Sequence, residues 1–316
     1  MILNRLNKAA RNALVELLPG LAQRWRHHRD RRRRQTIQEI LANPAAPSSA
    51  RGEHDFALLQ ERYPGIPVGD YYDPRTCWKR AAQRAIKLGD LVPGNLRTAE
   101  VLEVGCGDGL TGHLLASSGH HVILSDMDDW RDERSRSLPF VKAVLEEGLP
   151  FPDASFDFIF SYESFEHFKD PAKCFAELTR LCRPGGTAYF EFGPIYASAW
   201  GLHAYTTLKM PYAQYLLSEA FISRQIGELG ISDLNREMFT LQPLNKWRID
   251  DFMRLFCSPG WRIDNVTTGG PAEFLPLVRQ YPEAFRGRNL SFEDIVTQWI
   301  MIALRRESVS ADAPAV

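Results

Sequence analysis

Short apolar runs alternate with helix-periodic stretches through the middle of this chain, and turn-forming residues bound most of them. His121–Asp126, a run starting near Phe156, Thr187–Phe192, Trp261–Val266 and the strongly apolar Thr297–Leu304 read as strands, as does the segment opening at Val101. Trp78–Leu88, Leu110–Ser118, Ala172–Leu181 and Ile249–Phe256 carry apolar residues at helical spacing. Strands that alternate with helices predict an open α/β sheet.

Three regions break the alternation. Gly193 to Trp247 holds Pro194, Tyr196, Trp200, His203, Tyr205, Pro211, Tyr212 and Tyr215 and fits no simple sheet unit. Because it follows the carboxyl end of a central strand, it should overhang the ligand crevice as a lid, with a helix over Gln214–Gly230. Pro276–Asp294 reads as a second inserted helical piece. At the start of the chain, Ile2, Leu3, Leu6, Ala10, Ala13, Leu14, Leu17 and Leu18 share one side of a helix. Pro19-Gly20 should interrupt that helix, a second stretch runs to the Arg31–Arg34 cluster, and Asn43–Gly52 reads as a linker.

Charge changes the picture only at this arm. The formal net charge is −1, yet residues 1–51 carry 11 Lys/Arg against 3 Asp/Glu, a net +8 that leaves −9 for the rest. The arm reads either as a helix capping the remainder or as an interfacial helix on an anionic membrane. Nucleic-acid binding is the least favoured reading, since aromatic interleaving is limited to Trp25. No apolar run reaches the roughly 18–20 residues of a membrane span. The basic block follows the apolar part, which argues against a secretory signal. The five cysteines form no C-x-x-C pair, so reduced thiols in a cytoplasmic, optionally membrane-peripheral protein are expected, with no metal site. With 44% hydrophobic and 24% charged residues, one core-forming domain with elaborations is expected.

Chemistry concentrates in Val101-Leu-Glu-Val-Gly-Cys-Gly-Asp-Gly109. Glycines at 105, 107 and 109 let a ligand lie against the main chain before a helix whose first N–H groups are unpaired. A dinucleotide fingerprint wants G-x-G-x-x-G, but the third position here is Leu110. Asp126 ends the next strand 17 residues beyond Gly109, where a carboxylate accepts from two ribose hydroxyls. Leu149-Pro-Phe-Pro-Asp-Ala-Ser-Phe-Asp157 then turns into a strand that ends at Ser161 and Tyr162, and Arg183-Pro-Gly-Gly186 precedes another.

In order and spacing, these four motifs resemble the class I S-adenosylmethionine (SAM)-dependent methyltransferases, in particular the ubiquinone/menaquinone-type small-molecule subgroup. The resemblance covers Val101 to Phe192. It implies a Rossmann-like, doubly wound seven-stranded sheet with an antiparallel last strand, here with an N-terminal helical arm and a lid after strand five. Residues 1–52 would be arm and linker, 53–308 the methyltransferase domain with its lid at 193–247, and 309–316 a disordered tail.

The resemblance also implies the cofactor, SAM, and its contacts. Glu103 would organise the glycine turn, Gly105, Gly107 and Gly109 would seat SAM on the backbone, and Cys106 would fill the turn. Asp126 would hold the ribose, Met127 would cover the adenine, and Ser161 or Tyr162 would line the sulfonium side. Relatives often carry Asp-Ala before L-P-F, whereas this chain has Leu145-Glu-Glu-Gly148, so Glu146, or else Glu147, is the substitute expected at the adenine.

If the acceptor is a hydroxyl, a base must take its proton, and imidazole suits that work near neutral pH. His167 is the first candidate and His203 the second. Tyr196, Trp200, His203 and Tyr205 would grip the acceptor. Glu166 and His167 supply two metal-ligand types, too few for a site, so none is expected. The function expected is methyl transfer to oxygen of a small molecule or a glycan or lipid precursor. The alternatives are N- or C-methylation of a natural-product or quinone intermediate, and a SAM-binding regulatory protein without turnover. A protein or nucleic-acid acceptor is disfavoured because the remainder is net acidic.

Overall fold

The computed structural model describes residues 19–66, 71–93, 98–233 and 236–308. Nine strands are described: β1 (Glu100–Val104), β2 (His121–Asp126), β3 (Phe140–Lys142), β4 (Phe156–Tyr162), β5 (Cys182–Phe192), β6 (Ile231–Asp233), β7 (Arg236–Met238), β8 (Trp261–Gly269) and β9 (Trp299–Arg306). Seven form one sheet in the order β3-β2-β1-β4-β5-β9-β8, and β6 and β7 pair separately. β1 to β5 run parallel to one another, whereas β9 is antiparallel to both β5 and β8. This is the α/β sheet with an antiparallel last strand.

The central strands are apolar along their length because both faces are covered. Four of the five β1 residues are buried, and six of the seven in β4. One face packs Leu102, Ile159, Phe165, Phe190 and Phe192 beneath the helices Pro171–Leu181 and Ile249–Phe256. The other packs Val101, Leu124, Phe158 and Tyr189 beneath Leu88 of the helix Pro74–Gly89 and Leu115 of the helix Leu110–Ser117. The chain leaves β1 for β2 on one side and reaches β4 on the other. The crevice between the carboxyl ends of β1 and β4 is therefore the switch point where such sheets take ligands.

Several boundaries differ from the sequence reading. The Arg183–Gly186 segment is no free turn: β5 begins at Cys182, which pairs with Phe156, and the ladder shifts register before Phe158 meets Thr187. The stretch Gln214–Gly230 is two helices, Ala213–Leu216 and Glu219–Leu229, because the Ser218 hydroxyl accepts the Phe221 N–H and starts a new N-terminus. The second insert is three short helices, Leu275–Gln280, Pro282–Phe285 and Phe292–Val296.

The arm also differs. Residues 1–18, including the apolar helix face expected there, and the tail 309–316 lie outside the described residues. From Pro19 a single helix runs to Ala42. Ile37 and Leu41 on it are buried with Leu59, Tyr212, Leu216, Tyr281 and Phe285 in an apolar cluster distinct from the sheet cores. The expected linker is packed rather than free. Ser48 N–H donates to Glu283 O, Gly287 N–H donates to Asn43 O, and a Cβ on Gly52 would meet Leu216 O at 2.0 Å. The arm's end, both inserts and the helices Ala50–His54 and Phe56–Arg62 thus form one helical body beside the sheet. No described helix is long and apolar enough to cross a membrane.

Candidate active site

The glycine turn is built from the strand below and the helix beyond it. Cys106 N–H donates to Ser125 O, and Gly107 N–H donates to Asp126 Oδ2 at 2.9 Å. Asp126 Oδ1 accepts from Met127 N–H at 2.7 Å. The carboxylate is thereby fixed at the end of β2, against the turn. Burial raises the Asp126 pKa, and the bonds from Gly107 and Met127 oppose that shift. Glu103 points into the protein: it is 4% exposed and accepts Gly112 N–H at 2.9 Å. It ties β1 to the first turn of the helix Leu110–Ser117, and burial pushes its carboxyl well above the ordinary range. Cys106 is buried with its thiol pushed up by burial, so it stays protonated and fills space.

The three glycines do different work. A Cβ on Gly105 would meet Ser164 Oγ at 2.1 Å, and one on Gly109 would meet Leu124 at 2.8 Å, so both are packed against protein. Gly107, at φ +53°, has nothing within 4 Å of that position. Its backbone faces open space beside the Asp126 carboxylate. Such a surface suits a ligand with a hydroxyl-bearing sugar, and a side chain there would fill it. Met127, 69% exposed, stands on the rim. Glu146 Oε1 accepts from Lys169 and Asp170 N–H, so that carboxylate oxygen is spent at the start of the helix Pro171–Leu181.

The helix Pro74–Gly89 closes one side. Asp73 caps it, accepting Thr76 N–H. Arg80 and Arg84, one turn apart, reach toward the switch point. The Arg80 guanidinium lies 4.0 Å from the Tyr71 ring centre and 3.8 Å from Asp108 Oδ2. Arg84 stacks 4.1 Å above the Tyr162 ring and pairs with Glu163 at 3.1 Å. Tyr71 donates to Glu163 at 2.6 Å. Burial pushes Glu163 up, but Arg84 and the Tyr71 hydroxyl outweigh it and hold the carboxyl below its ordinary range. Glu163 itself sits at φ +51°, so the chain turns sharply as it leaves β4.

Opposite lies a wall of a different character. Ser161 Oγ, Tyr162 OH and Glu166 Oε2 are buried with no hydrogen-bond partner among the described residues. Glu166 Oε1 accepts Gly193 N–H at 3.0 Å, and burial raises its carboxyl to about 8. His167 Nδ1 lies 2.8 Å from Pro243 O, and His203 Nε2 lies 2.7 Å from Pro194 O. The two imidazoles meet edge to face, ring centres 5.0 Å apart, and His203 stacks on Tyr205 at 5.8 Å. Burial, then the neighbouring His167, lowers His203 to about 3, so it is neutral at physiological pH and a weak base.

Of the sequence-named residues, Glu103, Gly105, Cys106, Gly107, Gly109, Asp126 and Met127 gather around one turn. His167, His203 and Tyr205 gather with Glu166 at the end of β4. Trp200 does not stand open to a ligand: it is 7% exposed and packs on Phe274 and Tyr205 in the helical body. Its size and apolarity are spent on that core. Tyr196 is half-buried between Tyr215 and Lys246. Sequence reading missed Arg84, Glu163 and Asn245. Asn245 donates to Phe165 O and Phe168 O and clamps the segment that carries Glu166 and His167. The four-residue spacing of Arg80 and Arg84 was a readable sign; the partner of Asn245 lies 77 to 80 residues away and left none. A separate cavity of about 410 Å³, lined by Leu91, Val92, Gly185 and Arg305, lies at the opposite ends of the strands.

Comparison with known proteins bears on this geometry. Residues 102–190, the span from β1 to β5, match the family described as a methyltransferase domain. The chain is 26% identical over 186 residues to a glycine/sarcosine/dimethylglycine N-methyltransferase of Actinopolyspora halophila, covering 54% of this chain and 32% of that protein. It is 32% identical over 99 residues to a ubiquinone biosynthesis O-methyltransferase of Hahella chejuensis, covering 29% of this chain and 42% of the relative. The chain thus spans less than half the length of these two curated relatives. Among solved structures, an S-adenosylmethionine-dependent methyltransferase from Mesorhizobium loti is similar at 17% identity and TM-score 0.42, over 70% of this chain and 96% of that one.

Proposed function

We propose that this chain, which carries a SAM-dependent methyltransferase domain over residues 102–190, moves the SAM methyl group to an oxygen of a small-molecule acceptor. The observation that carries the reading is the open backbone of Gly107 beside the anchored Asp126 carboxylate. When bound, SAM supplies an activated methyl on a sulfonium, and the protein's work is alignment and exclusion of water. Asp126 accepts the ribose hydroxyls there, and Gly107 lets the cofactor lie on the chain. Met127 would cover the base, and Ser161 and Tyr162 at the end of β4 would line the methyl side.

The acceptor reading follows from the opposite wall. The insert 193–247 contributes His203 and Tyr205 and acts as a lid over the end of β4. By name, one curated relative methylates amines and another is an O-methyltransferase. Oxygen is favoured here because the His167 imidazole lies beside the buried Glu166, groups suited to taking a hydroxyl proton, while His203, lowered to about 3, is not the base. An amine acceptor needs no such group once deprotonated. Titration calorimetry with SAM and its demethylated product tests the cofactor step; no heat from either would end the reading. Mass spectrometry for a gain of one methyl group on phenolic, enolic and amine panels tests the acceptor class, and gain on amines alone would remove the oxygen assignment.

A further inference from the structure

Away from the cofactor turn, two cations flank a pair of tyrosines where the insert meets the helical body. Tyr196 and Tyr215 pack edge to face, ring centres 6.4 Å apart. Lys246 Nζ stands 5.3 Å from the Tyr196 ring centre, and the Arg288 guanidinium 5.1 Å from that of Tyr215. The insert joins this cluster to the acceptor wall at both of its ends. Tyr196 follows closely on Pro194, whose carbonyl lies against His203 Nε2, and Lys246 follows Asn245, whose N–H donates to Glu166 O. Gln214 fixes the Tyr196 segment, donating to Tyr196 O at 2.6 Å and to Ser198 O at 2.8 Å.

The polar capacity of this cluster is unspent. Among the described residues, Arg288 donates only through Nε, to Ala284 O at 2.6 Å, which leaves both Nη groups over. Asp294, the acid on the adjoining helix, spends Oδ1 on Ile249 N–H and Oδ2 on Ser291 N–H. Lys246 has one carboxylate, Glu219 at 3.4 Å, whose side chain is 90% exposed, and such a surface pair is weak. No described residue hydrogen-bonds the Tyr196 or Tyr215 hydroxyl, and burial raises both phenols, so each keeps a proton to donate. Beside them Ser198 Oγ and Gln214 Oε1 are buried without a partner among the described residues.

We infer that Arg288 and Lys246, aided by the Tyr196 and Tyr215 hydroxyls, hold a negatively charged group of the acceptor, a carboxylate or a phosphoryl group. The inference deepens the proposed transfer and rests on its acceptor wall. A guanidinium held by its Nε and laid on a ring is already oriented, and its two Nη groups match the paired oxygens of either anion. Arg288 is half-buried without an acid, a cost that an anionic ligand removes. Outside the first 51 residues the chain carries a net −9, so an anion approaches this wall only where positive charge is gathered locally. Attachment at a second point also fixes the angle at which the reacting hydroxyl meets the methyl group.

The test uses the full chain, with and without the demethylated product of SAM in the cofactor crevice. Binding of inorganic phosphate and, separately, acetate is followed by NMR relaxation of the anion, with chloride holding the ionic strength constant. The arginines of the arm attract anions too, so the subsite is the share of binding lost in Arg288→Met. That variant should weaken the tighter-bound anion by roughly 10–100-fold, the scale of one or two charge-assisted hydrogen bonds. Arg288→Lys should restore part of it, and affinity for the demethylated product should not change. Preference for phosphate marks a phosphoryl acceptor, and preference for acetate a carboxylate. In methyl transfer, phenols bearing the preferred anion should show a lower KM than their neutral methyl esters, and Arg288→Met should erase the difference. Equal anion binding by wild type and Arg288→Met, or an equal KM for anion and ester, overturns the subsite. Anion binding that depends on Arg288, with no transfer to any acceptor, would keep the subsite and remove the transfer reading, so the two failures are distinguishable.

Discussion

The two sides of the switch point satisfy their polar groups in opposite ways. On the cofactor side, Glu103 accepts from Gly112 and Asp126 accepts from Gly107 and Met127, so every acid that shapes the turn is held by nearby backbone. On the acceptor side, Ser161, Tyr162 and Glu166 each bury an atom that no described residue satisfies. A turn closed upon itself is rigid before its ligand arrives, which is how a site for an invariant cofactor is best built. A wall with unmet polar atoms can discriminate between ligands, because only a ligand that supplies the missing partners removes the cost of burying them.

The largest expected effect breaks the first side. Asp126→Ala removes the sugar partner and the anchor of Gly107 together, and should weaken SAM and its product by about 2–3 kcal/mol. Calorimetry giving wild-type affinity would show that the cradle does not depend on this carboxylate. Gly107→Ala comes next. Its added Cβ meets no protein atom, so stability should fall only by the backbone strain of a positive φ, about 1–2 kcal/mol. SAM affinity should fall as well, because the methyl group occupies the ligand's surface. Thermal denaturation alongside SAM titration separates these losses, and unaltered affinity would mean that the ligand lies elsewhere.

Glu103→Gln sharpens the comparison through pH. Burial raises the folded-state pKa of Glu103 above the ordinary 4.5, so the folded chain holds its proton longer than the unfolded one. Its contribution to stability is complete below the ordinary value and is lost as pH rises through the folded one. Glutamine still accepts Gly112 N–H but carries no charge. The variant should gain on wild type as pH rises from about 4 to 7 in chemical denaturation, and a difference that stays constant with pH would refute the buried-charge account.

Tyr71→Phe should cost less, about 0.5–1.5 kcal/mol of stability for one hydrogen bond to Glu163, read by chemical denaturation, and unchanged stability would show that this bond adds nothing. Smallest for the site is removal of the basic arm. Truncation must stop before Ile37 and Leu41, which belong to the helical core, so deletion of residues 1–34, which takes the Arg31–Arg34 cluster with it, is the usable form. We propose that the arm rests on anionic membrane. The deleted chain should lose sedimentation with anionic vesicles and keep SAM affinity, and equal sedimentation by both chains would dismiss that role.

The cofactor half was legible because its information is local. Val101–Gly109 carries strand, turn and helix start in one run, and the acid ending β2 lies only 17 residues on. Strand periodicity was likewise written in apolar runs, whereas the antiparallel direction of the last strand came only with the resemblance. The acceptor half was not. His167 and His203 were named separately as bases, but their meeting, and the addition of Glu166, depends on the carbonyls of Pro243 and Pro194 and on the clamp of Asn245. Nor did spacing reveal that Trp200 is core, or that the supposed linker at Asn43–Gly52 is packed.

What the sequence by itself determined is the sheet and the glycine turn, since neighbours along the chain dictate backbone conformation there. What only the tertiary structure decided is which distant side chains share a buried space, and so which polar atoms are left wanting a partner. Burial and desolvation are properties of the assembled body. The basicity of Glu166, the neutrality of His203 and the convergence of the two on His167 were fixed only when the insert folded over the end of β4.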